Sequence, residues 1–229
     1  MRSNREWMSI SDLMAGLMMV FLFIAIVFMI SMEREKDAMR EIALTYERSK
    51  TALREQLKEE FRDDLAEWGA EILQDGTFRF KEPDVLFSRS SAVVNAKFKS
   101  ILEDFFPRYI EILTSGQFRD EIDEVRIEGH TSSIWSQTST PEYAYLKNAQ
   151  LSQARSLSVL NYVYMLPSIA SERDWLSGVI RANGVSFAER ISAADGTEDF
   201  TRSRRVEFRV VTKAEEKIYT ILEQSGNGV

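Results

Sequence analysis

The chain has 229 residues, 44% hydrophobic and 28% charged, with 4 Pro, 10 Gly and a formal net charge of −7. That length permits one or two domains. The acidic balance argues against a protein that coats nucleic acid, so no nucleic-acid partner is expected. With no Cys and a single His, His130, disulfide frameworks, thiolate chemistry and His-rich metal sites are excluded; neither a metal nor a cofactor is expected.

The first element is apolar. From Leu13 to Met32 there are 20 residues without a charge, enough as a helix to span roughly 30 Å, the thickness of a bilayer's hydrocarbon core. Arg2 and Arg5 precede it, which favours the N-terminus inside the cell and the bulk of the chain outside. A cleaved signal peptide would have an apolar core of about 7–15 residues and a small-x-small cleavage site. This run is longer and ends in bulky Phe28, Met29 and Ile30, so a retained anchor is expected. Asp12 stands at its leading edge, little more than one turn after Trp7. It either solvates itself among the headgroups or becomes embedded once the helix packs against partners. An embedded carboxylate is costly to ionise and can bind and release a proton or sodium ion. Ala15 and Gly16 leave room beside it. A single span cannot enclose a pathway, so a multi-span membrane partner is implied.

Residues 33–75 read as a charged helix, with no Pro and no Gly before Gly69. The 8 basic and 13 acidic residues between Glu33 and Asp75 account for most of the net charge. Leu53, Leu57, Phe61, Leu65, Trp68 and Ile72 recur in threes and fours along one face. That stripe either rests on the following domain or pairs two chains as a coil; a dimeric stalk reaching roughly 65 Å is the favoured expectation.

An α/β pattern follows. Short strands are expected at Thr77–Phe80 and Val85–Phe87, and a helix over 92–113 that is interrupted near Pro107. A half-buried strand is expected at Val125–Glu128, followed by a Ser/Thr-rich loop over 131–141. Helices over 142–166 and 171–183 come next, then strands over 189–194 and 205–211. In the last, Val206, Phe208 and Val210 should face the core while Glu207 and Arg209 face solvent. The expected order is β-α-β-α-β, an α/β sandwich with helices on one face. In sum the domains are 1–12 (cytoplasmic start), 13–32 (span), 33–76 (stalk), 77–213 (α/β domain) and 214–229 (C-terminal helix or tail).

Two segments resemble known families. The string WMSISDLMAGLMMVFLF is similar to the N-terminal span of MotB-type stator proteins. Residues 84–212 resemble the OmpA-like peptidoglycan-binding domain through three ordered motifs. Ile127-Glu128-Gly129-His130-Thr131 matches its E-G-H-T-D strand end, Asn148 to Arg155 its N-x-x-L-S-x-x-R helix start, and Arg204-Arg205-Val206-Glu207 its R-R-V-E strand. The combination, with so short a cytoplasmic tail and a charged helical connector, is most similar to the ZorB-type subunits of Zorya anti-phage systems.

The resemblance implies that Asp12 carries the ion, H+ or Na+. It also implies that two copies of the helix, as a homodimer, sit within a ring of five MotA-like (ZorA-like) subunits in the bacterial inner membrane. The C-terminal domain would lie in the periplasm. Arg155 would bind the free carboxylate of diaminopimelate in peptidoglycan through paired hydrogen bonds. Asn148, Leu151, Thr131 and Ser132 would line the rest of the pocket. Ser132 stands where the family has an Asp, so the loop itself supplies no charge. No nucleophile motif such as G-x-S-x-G accompanies His130; no catalytic residue is expected, and His130 should fix the loop through a hydrogen bond. A flagellar stator and a passive envelope tether are the alternatives.

Overall fold

The computed structural model describes residues 2–81, 86–88, 91–136, 138–213 and 215, with side chains from Leu13 onward. The expected C-terminal helix or tail over 214–229 therefore lies outside the described residues, Glu215 apart. Two compact units divide the chain, residues 1–45 and residues 46–229.

In the first unit the described backbone is helical, as part of α1 (Arg2–Glu60). Its apolar stretch, from Leu13 to Met32, leaves large side chains such as Met18, Phe23 and Phe28 exposed. Among the described residues this helix alone is long and apolar enough to cross a membrane.

In the second unit α1 ends at Glu60, short of the expected 75. Arg108 explains the stop: its guanidinium donates to the Glu60 carbonyl at 2.8 Å and to the Glu60 carboxylate at 2.7 Å. It also donates to Asp64 at 3.0 Å and lies 4.7 Å over the Phe61 ring. The helix's last carbonyl is thus capped by a cation, where the macrodipole favours one. A short helix, α2 (Asp64–Glu67), and strand β1 (Ala70–Ile72) occupy what had read as stalk. Leu53, Leu57, Phe61 and Trp68 are buried in this unit's own core. The stripe that a two-chain coil would need is therefore used within one chain.

The remaining elements are β2 (Phe78–Phe80), α3 (Ala96–Leu113), β3 (Ile122–His130), α4 (Pro141–Tyr164), a 3-10 turn (Pro167–Glu172), α5 (Arg173–Val179), β4 (Ile180–Ser186), α6 (Phe200–Ser203) and β5 (Arg205–Thr212). They form one sheet in the order β1-β2-β5-β3-β4, antiparallel except for the β3–β4 pair. The expected fold class, an apolar N-terminal helix followed by an α/β domain, is borne out.

Several boundaries differ from expectation; among them, the helix expected over 171–183 ends at Val179, where β4 takes over. α3 continues through Pro107, because the Glu103 carbonyl that Pro107 cannot bond belongs to an exposed residue that water can serve. The fourth strand is Ile180–Ser186, not 189–194, where the chain instead forms an arm. Of the strand expected at Val85–Phe87, Phe87 makes only an isolated bridge to Val94, and Val85 lies outside the described residues.

Helix α4 begins at Thr140, whose hydroxyl accepts from the Tyr143 N–H, with Pro141 in the first turn. It lies very close to the sheet. A Cβ on Gly129 would come within 2.4 Å of the Ser152 carbonyl oxygen, and one on Gly184 within 2.4 Å of the Gln153 nitrogen. Only glycine admits that approach. Gln153 then reaches β4 directly, donating to the Ala182 carbonyl at 3.1 Å and accepting from the Gly184 N–H at 2.8 Å.

Candidate functional site

The helix periodicity of α4 places Asn148, Ser152 and Arg155 on its buried side, with Leu151 half-buried beside them. Arg155 Nε donates to the Ser91 carbonyl at 2.9 Å, and the guanidinium lies 4.9 Å over the Phe87 ring. The segment before α3 thus holds this arginine in place.

Thr131 and Ser132, just past the end of β3, are also buried. They are linked to α4 through Ser186: the Thr131 N–H donates to the Ser186 carbonyl at 2.8 Å, and the Ser186 N–H donates to Ser152 Oγ at 3.0 Å. Ser186 has φ 57°, a left-handed conformation unfavourable for a side-chain-bearing residue. Its two backbone hydrogen bonds hold it there. Thr131 Oγ1 and Asn148 Nδ2 are buried without a hydrogen-bond partner among the described residues. Such atoms are uncommon in a folded interior, and a bound polar ligand would satisfy them. The structure therefore brings Thr131, Ser132, Asn148 and Arg155 to one helix and the strand end beside it. Asp12 is on α1, immediately before the apolar stretch that begins at Leu13; its side chain lies outside the described residues.

The polar face of the sheet carries a second cluster that sequence reasoning misassigned. Glu207, expected in solvent, is only 4% exposed. Its Oε1 accepts from Arg205 at 2.5 Å and from Arg79 at 2.6 Å, and its Oε2 lies 3.4 Å from His130 Nε2. Glu128, directly across from Glu207 in the β3–β5 register, lies 3.7 Å from the same imidazole nitrogen. His130 is thus buried between carboxylates and, among the described residues, fixes no loop group by an aligned hydrogen bond. Glu128, His130, Glu189 and Glu207 have ligating atoms within 4.8 Å of one another, spacing that could hold a metal ion. Arg79 and Arg205 already neutralise Glu207, however, and their charge opposes a further cation. Glu189 is exposed at its rim, and the rest is best described as a set of buried, mutually paired charges.

Burial disfavours the charged imidazole, but Glu128 and Glu207 outweigh it and hold the His130 pKa above its ordinary 6.5. Burial likewise opposes the charge on Glu207, yet His130 and Arg205 hold that carboxyl far below its usual range. A raised native pKa means that the folded state binds the proton more tightly than the unfolded state. The His130 contribution is therefore complete below about 6.5 and is lost as pH rises through the raised value. Melting of the chain is expected to become easier as pH climbs above neutrality. That slope should flatten in His130→Gln; an unchanged slope would assign the pH dependence elsewhere.

No protein-family model matches the chain. Against curated proteins it is 46% identical over 224 residues to the Zorya protein ZorB of Escherichia coli, covering 97% of this chain and 94% of that one. The chain belongs to the ZorB family. The resemblance read from its residues is thereby borne out. Among solved structures, this ZorB-family chain is similar to the cell wall anchor of the type VI secretion system from Pseudomonas aeruginosa (25% identity, TM-score 0.45, covering 69% of this chain and 97% of that one). It is also similar to a MotB-like protein from Desulfovibrio vulgaris (20% identity, TM-score 0.46, covering 76% and 94%).

Proposed function

We propose that the chain is the wall-anchored, ion-conducting subunit of a rotary motor of MotAB type that serves defence against phage. Near-full-length identity to ZorB is the observation that carries this reading. Asp12 relays H+ or Na+ at an interface with MotA-like (ZorA-like) multi-span subunits, five around two copies of this chain. The two copies pair through the span, since the stripe at Leu53, Leu57 and Phe61 is occupied within each chain. The span lies in the inner membrane with the N-terminus cytoplasmic and the α/β domain periplasmic. There Arg155, Asn148, Leu151, Thr131 and Ser132 grip peptidoglycan, and the buried unpartnered atoms of Thr131 and Asn148 support a polar ligand at that place. Anchoring holds the helix pair fixed, so ion passage turns the surrounding ring. The chain itself catalyses no reaction in this scheme.

Phage plating on cells carrying the native locus tests it. Asp12→Asn, which keeps the side chain's size and removes its charge, is expected to abolish protection at unchanged membrane level of the protein. Equal protection by the Asp12→Asn locus would overturn the ion relay and leave a passive tether.

A further inference from the structure

Residues 187–204 connect β4 to β5 and, Arg204 apart, belong to none of the motifs that mark the candidate site. They are nevertheless built as an arm. Asp199 N–H donates to the Ile191 carbonyl at 2.8 Å, Ala193 N–H to the Thr197 carbonyl at 2.8 Å, and Ser192 bridges Glu198. Gly196, with φ +84°, makes the turn at the tip. At the base, Ser203 Oγ accepts from the Ile191 N–H at 3.0 Å, and Arg205 donates to the carbonyls of Glu189 and Ser203. Asp199 caps α6 by accepting from the Thr201 and Arg202 N–H groups.

This arm presents Glu198 to the loop after β3. One carboxylate oxygen accepts from the Ser133 N–H at 3.0 Å and the other from the Ser133 hydroxyl. On the other side of Ser132, Thr131 is tied to Ser186. Ser132 is thus bracketed by two tethers, one to the helix side of the site and one to the arm. Hydrogen bonds to a charged acceptor are the stronger kind, and a carboxylate engaging both polar groups of one residue fixes the loop's direction as well as its distance.

We propose that Glu198 is a positioning residue of the wall-binding site, holding Thr131 and Ser132 in the geometry that receives the ligand. The inference rests on the peptidoglycan reading given above. Through Glu198, the β4–β5 arm becomes a working part of the site, although 65 residues separate Glu198 from Ser133 in sequence.

Co-sedimentation of the full-length, detergent-solubilised chain with isolated diaminopimelate-type sacculi tests this. Glu198→Ala is expected to weaken binding about tenfold, the effect of losing a hydrogen-bonded charge. Ser133→Ala weakens it less. Because both act through one contact, the double variant should bind no worse than Glu198→Ala alone. Glu198→Gln, which keeps one oxygen acceptor, recovers part of the loss. Amide exchange over residues 131–136 should rise in Glu198→Ala while the melting temperature stays put. Wild-type binding by a folded Glu198→Ala, with binding lost in Arg155→Ala, would overturn the positioning role and leave the wall reading intact. Additive losses in the double variant would also overturn it. If Glu198→Ala does not fold, Glu198→Gln and Ser133→Ala decide, and unchanged binding by both overturns the proposal. Failure of the wild-type chain to sediment with sacculi would remove the wall reading and this inference together.

Discussion

Phe105→Ala is expected to destabilise the α/β unit by about 3–5 kcal/mol, the usual loss for truncating a fully buried aromatic. Phe105 lies at the meeting point of five chain segments, its own helix included. Its ring centroid is 5.3 Å from Phe61, 4.5 Å from Phe78, 5.1 Å from Phe80, 5.0 Å from Tyr109 and 5.0 Å from Phe208. Trp68 meets it edge-on at 6.3 Å. Those neighbours come from the end of α1, the α2–β1 turn, β2, α3 itself and β5, so no single element can move to fill the cavity. Aromatic pairs add about 0.5–1.5 kcal/mol each beyond area burial, not additively. Phe105→Leu should therefore cost clearly less than Phe105→Ala while keeping most of the volume. Chemical denaturation of the full chain in detergent, followed by near-UV circular dichroism, measures both. A loss under about 1 kcal/mol for Phe105→Ala, small by the standard for buried aromatics, would show that the surrounding rings repack freely.

The second large effect is electrostatic. Glu207→Ala would leave the guanidiniums of Arg79 and Arg205 and the imidazole of His130 facing one another without the carboxylate between them. Removing one partner from a buried charge pair typically costs about 3–5 kcal/mol, because the remaining charge is stranded in low dielectric. Arg79 retains Glu71 at 3.1 Å, so Arg205 and His130 bear most of the penalty. With the carboxylate gone, the proton on His130 loses much of its support, and its pKa should fall toward or below the ordinary value. The variant is thus expected to lose stability and also the alkaline weakening described for the wild type. Thermal melts from pH 6 to 9 read both at once. A destabilised Glu207→Ala that keeps the wild-type pH slope would show that Glu128 alone governs His130.

Much of this was legible in the residues, and the failures share a cause. The span was readable because twenty uncharged residues have few other uses in a water-soluble chain. The stripe at Leu53, Leu57, Phe61 and Trp68 was readable as a face, but periodicity names the buried side without naming what buries it. The core of the same chain won over a second copy. Strand β4, Ile180-Arg-Ala-Asn-Gly-Val-Ser, was missed because Arg181, Asn183 and Gly184 break the apolar alternation, and its pairing with β3 is long-range. Glu207 was misplaced by the same alternation rule. Alternation distinguishes the two faces of a sheet, but it does not reveal that the polar face is itself covered. Of the site residues, Asn148 and Arg155 lie on the buried side of α4, which their spacing from Ser152 and Val159 marks. Glu198 gave no local signal, because its role depends on a hairpin arm whose position only the folded sheet defines.

The contact between Gln153 and β4 has a consequence for how copies of this chain tolerate crowding. β4 is an outer strand of the sheet, and outer strands offer unpaired backbone groups that can recruit a strand from a neighbouring molecule. The Gln153 amide engages the Ala182 carbonyl and the Gly184 N–H, in effect acting as a short stretch of strand supplied by a helix. With those two groups taken, the sheet cannot be extended in register past the middle of β4. Copies of the α/β unit held side by side at high concentration are then expected to resist edge-to-edge pairing at this strand.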